Sequence, residues 1–135
     1  MAKTYHQTFG RWGEELAASF LQERGYTILG RNVRSSYGEI DLIASLADPS
    51  ADPLQPESHS PVIVFVEVKT RTSLAYGQPE ESITPRKKAH LLAAIQAYMQ
   101  SLTDPPQAWR VDVIAIRRAN NGEAPEITHF ENAFC

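Results

Sequence analysis

Residues 62–71 read VIVFVEVKTR, an apolar run that ends in alternating charged residues. Because side chains alternate across a strand, Phe65, Glu67 and Lys69 share one face and the valines between them share the other. Apolar residues on both faces predict a strand over residues 62–70 that is covered on both sides, which is typical of a central strand. Glu67 and Lys69 are therefore expected at the end of a buried surface, pointing the same way.

The segments around this strand predict the element order αβββαββ, and hence an α/β fold with a mixed central sheet flanked by helices. Apolar residues recur at helical spacing from about Thr8 to Arg24, and Gly25 is the expected stop. Thr84 as N-cap and Pro85 at the first helical position open a second helix. The predicted strands are residues 26–33, 39–44, 62–70, 109–116 and 126–130.

Length and composition indicate one globular domain over residues 1–135. Of these residues, 42% are hydrophobic and 21% charged, as in ordinary globular domains. Residues 46–61 contain four prolines and neither a helix nor a strand period, so they are interpreted as a loop excursion between paired strands. No apolar stretch approaches the roughly 20 residues that cross a bilayer, and the polar N-terminal segment differs from a secretion signal. A cytoplasmic protein without membrane contact is expected.

Charge and metal-binding residue types narrow the function. The net charge of −3 argues against a nucleic-acid binder. Residues 46–61, however, contain three acids and no base, which leaves 13 acids against 13 bases elsewhere. Cys135 is the only cysteine, so neither an intrachain disulfide nor a cysteine-based metal site can form, and the four scattered histidines disfavour zinc.

A pair of carboxylates is predicted where two strands meet. In the strand 39–44, Glu39 and Asp41 alternate with apolar residues, and pairing that puts Ile43 and Phe65 in one layer brings Asp41 beside Glu67. Two semi-buried carboxylates repel each other and are costly to desolvate. A divalent cation removes that cost, and oxygen ligands favour Mg²⁺ or Mn²⁺.

Two stretches carry a resemblance to a known superfamily. GEIDLIA at 38–44 and FVEVKTR at 65–71 resemble the Asp…Glu-x-Lys signature of PD-(D/E)xK nucleases, with Asp41, Glu67 and Lys69 at its three positions. Ile40 stands where the superfamily name has proline. The whole chain is similar to the YraN family of small bacterial proteins, described as endonucleases related to archaeal Holliday junction resolvases. The supporting stretches are GEELAASFLQERGYTILGRNVR at 13–34, GQPEESITPRKKAHLLAAIQAYM at 77–99, WRVDVIAI at 109–116 and ITHFENAF at 127–134.

This resemblance implies a restriction-endonuclease-like core that hydrolyses DNA phosphodiester bonds, including those of branched or junction DNA, with Mg²⁺ or Mn²⁺. It implies Asp41 and Glu67 as metal ligands and the backbone carbonyl of Val68 as a further ligand. Lys69 would serve the attacking water or the scissile phosphate. Glu14 matches the helix glutamate of resolvase-like nucleases and is a further candidate ligand. The resolvase relation also favours a homodimer.

Helical periodicity supports Glu14 over Glu15 only weakly. Glu14 borders the apolar stripe of the first helix and Glu15 points to solvent, but counting Trp12 in the stripe makes them nearly equivalent. The alternative for Glu14 is a carboxylate favoured by the helix dipole. Glu39 is interpreted equally well as a site residue or as a solvated strand-end carboxylate.

Other residues keep two interpretations each. Cations oppose the helix dipole in the first turn of the second helix, so Arg86, Lys87 and Lys88 either contact phosphate, together with Arg71 and Gln78, or form a solvated face. The remaining candidates have a structural alternative that is favoured. Asp112 is expected to pair with an arginine. Four aromatic residues are expected to pack against the core rather than stack on bases: Trp12, Tyr37, Tyr76 and Trp109. His90 and His129 are expected to be surface or core histidines without a role in the site.

Two rival functions use the same scaffold. One is a non-catalytic nucleic-acid-binding module, and the other is a protein-interaction domain whose acids form surface ion pairs. Metal titration separates the interaction domain from the other two functions. Cleavage of DNA separates the enzyme from the binding module.

Overall fold

A five-stranded mixed sheet with a helix on each face forms the centre of the molecule. The computed structural model describes residues 5–47, 54, 61–72, 83–106, 108–119 and 122–134. The elements are α1 (Tyr5–Glu23), β1 (Thr27–Ser35), β2 (Gly38–Leu46), β3 (Val62–Arg71), α2 (Pro85–Ser101), β4 (Trp109–Arg117) and β5 (Glu126–Phe130). This order confirms the predicted αβββαββ arrangement and the α/β fold class.

The strands lie in the sheet in the same order as in the chain. β1, β2 and β3 pair antiparallel, β3 and β4 pair parallel, and β5 returns antiparallel to β4. Parallel neighbours need a crossover connection, and α2 supplies it between β3 and β4. β3 therefore lies at the centre of the sheet, as its apolar residues on both faces predict.

Each face of the sheet is covered by one helix, because β2, β3 and β4 present apolar side chains on both sides. On the α1 face, the buried residues are Ala17, Ala18, Leu21, Tyr26, Leu42, Ala44, Val64, Val66, Ile114 and Ile116. On the α2 face, they are Ile40, Ile43, Ile63, Phe65, Leu91, Ala94, Ile95 and Val111. The charged ends of the central strands emerge from between these two layers.

The element boundaries differ from the predicted ones by a few residues. α1 begins at Tyr5 rather than Thr8, and its first turn carries no acidic residue that could have marked the start. α2 begins as predicted, because the Thr84 hydroxyl accepts a hydrogen bond from the Lys87 N–H at 3.1 Å. Neither helix of the described chain is long and apolar enough to cross a membrane.

The excursion predicted over residues 46–61 lies mostly outside the described residues. Its first residue, Leu46, is the last residue of β2 and is paired with Val62, the first residue of β3. β2 and β3 are thus held together at the point where the excursion leaves and re-enters the sheet. Gln78, Tyr76 and Cys135 also lie outside the described residues.

Candidate metal centre

The candidate site begins where the backbone ladder between β2 and β3 ends. Ile43 is paired with Phe65, which meets the condition set from the sequence for bringing Asp41 near Glu67, and the last pair of the ladder is Leu42 with Val66. Asp41 and Glu67 are the next residues of the two strands beyond this last pair. There the Val68 N–H donates a hydrogen bond to Oδ2 of Asp41 at 2.9 Å, so a side-chain carboxylate replaces a strand carbonyl as the acceptor.

Three carboxylates from two separate elements converge at this point. Glu14 of α1 and Glu39 and Asp41 of β2 each place an oxygen within 4.8 Å of the others. Glu14 and Asp41 are half-buried and Glu39 is exposed. We call these three residues the acid cluster. Glu39, which the sequence left open, belongs to it.

A close approach of α1 to the sheet brings Glu14 into the cluster. A Cβ at Gly13 would lie 1.9 Å from Cγ2 of Thr70 in β3, closer than two carbon atoms can come. Only glycine therefore lets the helix lie this near to β3 at its present position. Glu14 follows directly and reaches Asp41, whereas the neighbouring Glu15 is exposed.

Asp41 is electrostatically unusual. Burial raises its pKa to about 8, the Glu67 carboxylate adds to the rise, and the hydrogen bond from Val68 opposes it. Glu14 and Glu39 raise the pKa of Asp41 further. Burial also raises the pKa of Glu14, against a hydrogen bond from Asn32 that lowers it. The carboxylates of the cluster thus disfavour one another's ionised form, although Nε of Arg34 lies 3.6 Å from Oε2 of Glu39.

Glu67 is adjacent to the acid cluster and is paired with Lys69. The Lys69 ammonium nitrogen lies 3.4 Å from Oε1 of Glu67, and the side chains are 17% and 22% exposed. Strand alternation puts both on the α2 face, as predicted. Glu67 is not one of the three residues of the cluster, but it is close enough to raise the pKa of Asp41.

A cavity of about 180 Å³ opens on the α2 face beside these groups. Glu39 and Glu67 line one side of it, and Lys87 and His90 of α2 line the other. The remaining lining residues are Tyr37, Gly38, Ile83 and Leu91. Two carboxylates, one ammonium group and one imidazole therefore line the same small volume.

The predicted phosphate-binding residues fall in different places. Lys87 lines the cavity, and Arg86 is exposed at the start of α2. Lys88 points elsewhere, because its ammonium lies 5.0 Å from the centre of the Phe134 ring. Arg71 is the last residue of β3, and Gln78 lies outside the described residues.

Among the cavity residues that were not predicted as site residues, His90 and Tyr37 carry polar side chains. His90 is exposed and follows Lys87 by three residues, so helical spacing alone could have placed both on one face. Tyr37 is 56% exposed, so the expectation that it packs against the core is wrong. It lies in the two-residue turn between β1 and β2, outside both core layers. Trp12, in contrast, packs against the α1-face core.

Asp112 belongs to a separate buried hydrogen-bond network, and its predicted pairing with an arginine is confirmed. Its carboxylate accepts hydrogen bonds from Nε and a terminal nitrogen of Arg110, at 3.0 and 3.1 Å, and from the Asn132 N–H at 2.9 Å. Nε2 of His129 lies 2.7 Å away. Tyr26 completes the network by accepting a hydrogen bond from Arg110 at 2.8 Å. The network joins β5 and the start of β1 to β4.

A larger cavity, about 510 Å³, lies away from the acid cluster. It is enclosed by the start of α1 and the β4–β5 connection, and Phe9, Trp12, Arg118 and Glu123 are among its lining residues. Its size exceeds that of the cavity beside Glu67, but it contains one carboxylate instead of a cluster. We therefore place the candidate chemistry at the smaller cavity.

These features define an α/β protein with an acid cluster and an adjacent lysine at the end of its central strands. The chain belongs to the uncharacterised protein family UPF0102, whose model matches residues 13–116. The match covers Glu14, Asp41, Glu67 and Lys69.

Relatives of similar length come from diverse bacteria. A UPF0102 protein of Syntrophotalea carbinolica is 37% identical over 97% of this chain and 95% of its own length. One from Syntrophomonas wolfei is 40% identical over 96% of this chain and 99% of its own length. One from Anaeromyxobacter dehalogenans is 41% identical over 95% of this chain and 84% of its own length. The names of these relatives state no activity.

Proposed function

We propose that this chain is a nuclease of the PD-(D/E)xK type that uses Mg²⁺ or Mn²⁺ to hydrolyse phosphodiester bonds of DNA. One observation carries the proposal. Asp41 is a half-buried carboxylate that accepts a hydrogen bond from the Val68 N–H of β3, its pKa is raised to about 8 by burial and by Glu67, and the Lys69 ammonium lies 3.4 Å from Oε1 of Glu67. Such a strongly perturbed acid beside a specific charged neighbour is typical of a functional site.

The donor set fits a hard divalent cation. Carboxylate oxygens are the ligands that Mg²⁺ and Mn²⁺ prefer, and those of Glu14, Glu39 and Asp41 lie within 4.8 Å of one another. Exposed acids also gather on protein surfaces without an ion, so Glu39 is weak support for a metal site. The half-buried Asp41 is stronger support, because its ionised form is disfavoured until a positive charge is present.

Asp41 and Glu67 would hold the metal ion, with Glu14 or Glu39 and the Val68 carbonyl as further ligands. When bound, the ion would act as a Lewis acid on the phosphoryl oxygen. The Val68 N–H fixes the orientation of the Asp41 carboxylate through its hydrogen bond. A site held in this way loses little entropy when a ligand arrives.

Lys69 would serve the attacking water or the scissile phosphate. Its ammonium is largely buried beside Glu67, and a cation in such a setting stabilises charge that develops on phosphoryl oxygens more strongly than it would in water. Lys87 lines the facing wall of the cavity and would contact the same phosphate from α2. The cavity opens to the surface between β2 and α2, where a nucleic-acid strand can reach it.

The DNA substrate is proposed from the resemblance to YraN proteins and junction resolvases, which also suggests branched DNA. A non-catalytic DNA-binding module needs no buried lysine beside the acids. A protein-interaction domain needs no strongly perturbed carboxylate at a sheet end. The enzyme is therefore the function that uses most of the observed geometry.

Cleavage assays test the proposal directly. Linear, flapped and four-way DNA are incubated with the wild type, Lys69→Ala and Lys88→Ala at matched Mg²⁺ or Mn²⁺ concentrations. We expect metal-dependent cleavage that Lys69→Ala lowers by about 100-fold or more, while Lys88→Ala, whose ammonium lies over Phe134, keeps most of it. Equal cleavage by wild type and Lys69→Ala would indicate a contaminating nuclease and overturn the assignment.

A further inference from the structure

Two arginines lie side by side at the ends of the central strands. Arg71 of β3 is paired in register with Arg117 of β4, and neighbouring strands lie about 4.8 Å apart. Alternation puts both side chains on the α2 face, because Phe65, Glu67 and Lys69 precede Arg71 there at steps of two. We call these two residues the arginine pair.

The arginine pair carries unsatisfied hydrogen-bond donors. Nε of Arg71 and Nε of Arg117 are both buried and have no hydrogen-bond partner. A buried donor without a partner is destabilising, and native proteins rarely keep one without a reason such as an ion that occupies the site. Two such donors on paired positions indicate one ligand that both residues share.

The surrounding charges favour an anion. One terminal nitrogen of Arg117 forms an ion pair with Glu126, which leaves its Nε unused. The described residues contain no ion-pair partner for the Arg71 guanidinium, and like charges on paired strands repel each other. An anion between the two guanidinium groups would satisfy both donors and relieve the repulsion.

We propose that the arginine pair is a phosphate-binding site, which in the proposed nuclease holds a backbone phosphate away from the bond that is cut. Guanidinium groups bind phosphate oxygens with paired N–H donors, a geometry that suits two neighbouring arginines. Four residues of strand separate Arg71 from Glu67, a distance of about 13 Å. The pair is therefore too far from Glu67 to act on the reacting phosphate and would position the DNA strand.

The backbone keeps the pair in register. The Arg118 N–H donates a hydrogen bond to the Arg71 carbonyl at 2.8 Å, which continues the β3–β4 pairing beyond the last strand residues. Both side chains thus leave from backbone that is held at a fixed spacing. A preorganised site of this kind needs little rearrangement to bind its ligand.

The salt dependence of DNA binding tests the site within the proposed function. Affinity of wild type, Arg71→Gln, Arg117→Gln and Arg31→Gln for one DNA duplex is measured by fluorescence anisotropy in EDTA from 50 to 300 mM salt. Each phosphate contact contributes about one to the slope of log K against log salt concentration, so we expect Arg71→Gln and Arg117→Gln each to lower its magnitude by about one. Arg31, which is exposed on β1, is the matched control and should leave the slope unchanged.

Inorganic phosphate gives a second measurement that does not depend on DNA. We expect phosphate to raise the melting temperature of wild type and of Arg31→Gln, and to have a much smaller effect on the double variant Arg71→Gln/Arg117→Gln. If wild type bound DNA at no salt concentration, the proposed function would be overturned. The effect of phosphate on the melting temperature would still decide whether the arginine pair binds phosphate. Unchanged salt slopes together with equal phosphate stabilisation of all variants would overturn the arginine pair as a phosphate site.

Discussion

The backbone N–H of Val68 and the carboxylate of Asp41 are joined by a 2.9 Å hydrogen bond across the end of the β2–β3 ladder. Burial and the neighbouring carboxylates raise the pKa of Asp41 to about 8, although this hydrogen bond acts to lower it. The fold thus holds a carboxylate in a fixed orientation and at an energetic cost, which is the arrangement that a bound cation would stabilise.

Asp41→Asn should stabilise the metal-free protein above neutral pH. Because folding raises the pKa of Asp41 to about 8, the folded state binds more protons than the unfolded state between pH ~3.9 and 8, and stability falls as pH rises by at most ~1.4 kcal/mol per unit. An asparagine at position 41 removes this term and can still accept the hydrogen bond from Val68. Urea unfolding in EDTA at pH 5 and pH 9 measures the difference.

The same variant also tests metal binding. Mn²⁺ should stabilise wild type at pH 8 and should have little effect on Asp41→Asn, as calorimetry would show directly. If Asp41→Asn bound Mn²⁺ as tightly as wild type, Asp41 would not be a metal ligand. If the stability of wild type did not change between pH 5 and pH 9, the pKa of Asp41 would not be raised by folding.

Glu14→Gln and Glu15→Gln should behave differently. Glu14 lies within 4.8 Å of Glu39 and Asp41, whereas Glu15 is exposed on the same helix. Loss of Glu14 should therefore weaken Mn²⁺ binding or cleavage by at least about tenfold, ~1.4 kcal/mol, and loss of Glu15 should not. Equal affinities of the two variants in a calorimetric titration would show that α1 contributes structure only.

Much of the site could be predicted because strand alternation depends only on the parity of residue numbers. The face shared by Glu67 and Lys69, and the pairing of Ile43 with Phe65, follow from the apolar pattern of two strands. The pairing of Asp112 with an arginine follows from the need to neutralise a charge among valines. These relationships are predictable because they lie within one strand or depend only on the register between β2 and β3.

Relationships between distant elements could not be predicted in the same way. Glu14 and Glu39 meet because α1 approaches β3 closely at Gly13, and helical periodicity does not report that distance. The pairing of Arg71 with Arg117 depends on the alignment of two parallel strands across a long crossover, where no tight turn sets the register. Tertiary packing decides both.

Gly13→Ala should destabilise the protein, because its Cβ would lie 1.9 Å from Cγ2 of Thr70. Moving α1 or Thr70 to accommodate it should cost about 1–3 kcal/mol. Gly10 is the matched control in the same helix, since a Cβ there meets nothing within 4 Å, and Gly10→Ala should stabilise by about 0.5–1 kcal/mol. Thr70→Ser removes the clashing methyl group and should recover part of the loss in a double-mutant cycle.

Unfolding in urea with EDTA present would measure wild type, the three single variants and the double variant under one condition. A Gly13→Ala protein as stable as Gly10→Ala would show that α1 shifts freely on the sheet. In that case Glu14 would not be held in place by the close approach. The outcome therefore bears on the acid cluster as well as on the fold.

Replacing residues 47–61 with a short turn should leave the melting temperature nearly unchanged or slightly raised. Leu46 and Val62 are already paired at the two ends of this segment, so a tight turn can join them without moving β2 or β3. Shortening a loop changes its closure free energy by only ~0.6 kcal/mol for each halving of length. Differential scanning calorimetry measures the effect, and a large loss of stability would show that the segment contributes to the core.

Asp112→Asn should cost about 3 kcal/mol or more at pH 7. Asp112 is fully buried and accepts two hydrogen bonds from Arg110 and one from the Asn132 N–H, and removing one charge of a buried pair leaves the other uncompensated. Burial acts to raise the pKa of Asp112, but hydrogen bonds from His129 and Arg110 hold it below its ordinary value. Folding therefore gains stability from the ionised carboxylate above pH ~3.9 and loses it as pH falls further, through the depressed pKa.

Asp104→Asn is the matched control for this change, because Asp104 is exposed beyond the end of α2 and should alter stability by no more than about 0.5 kcal/mol. Urea unfolding at pH 7 and at pH 3 compares both variants with wild type. At pH 3 the wild type has begun to lose the contribution of Asp112, so its advantage over Asp112→Asn should be smaller than at pH 7. An equal difference at both values would mean that the charge of Asp112 does not stabilise the fold and that its network acts through packing alone.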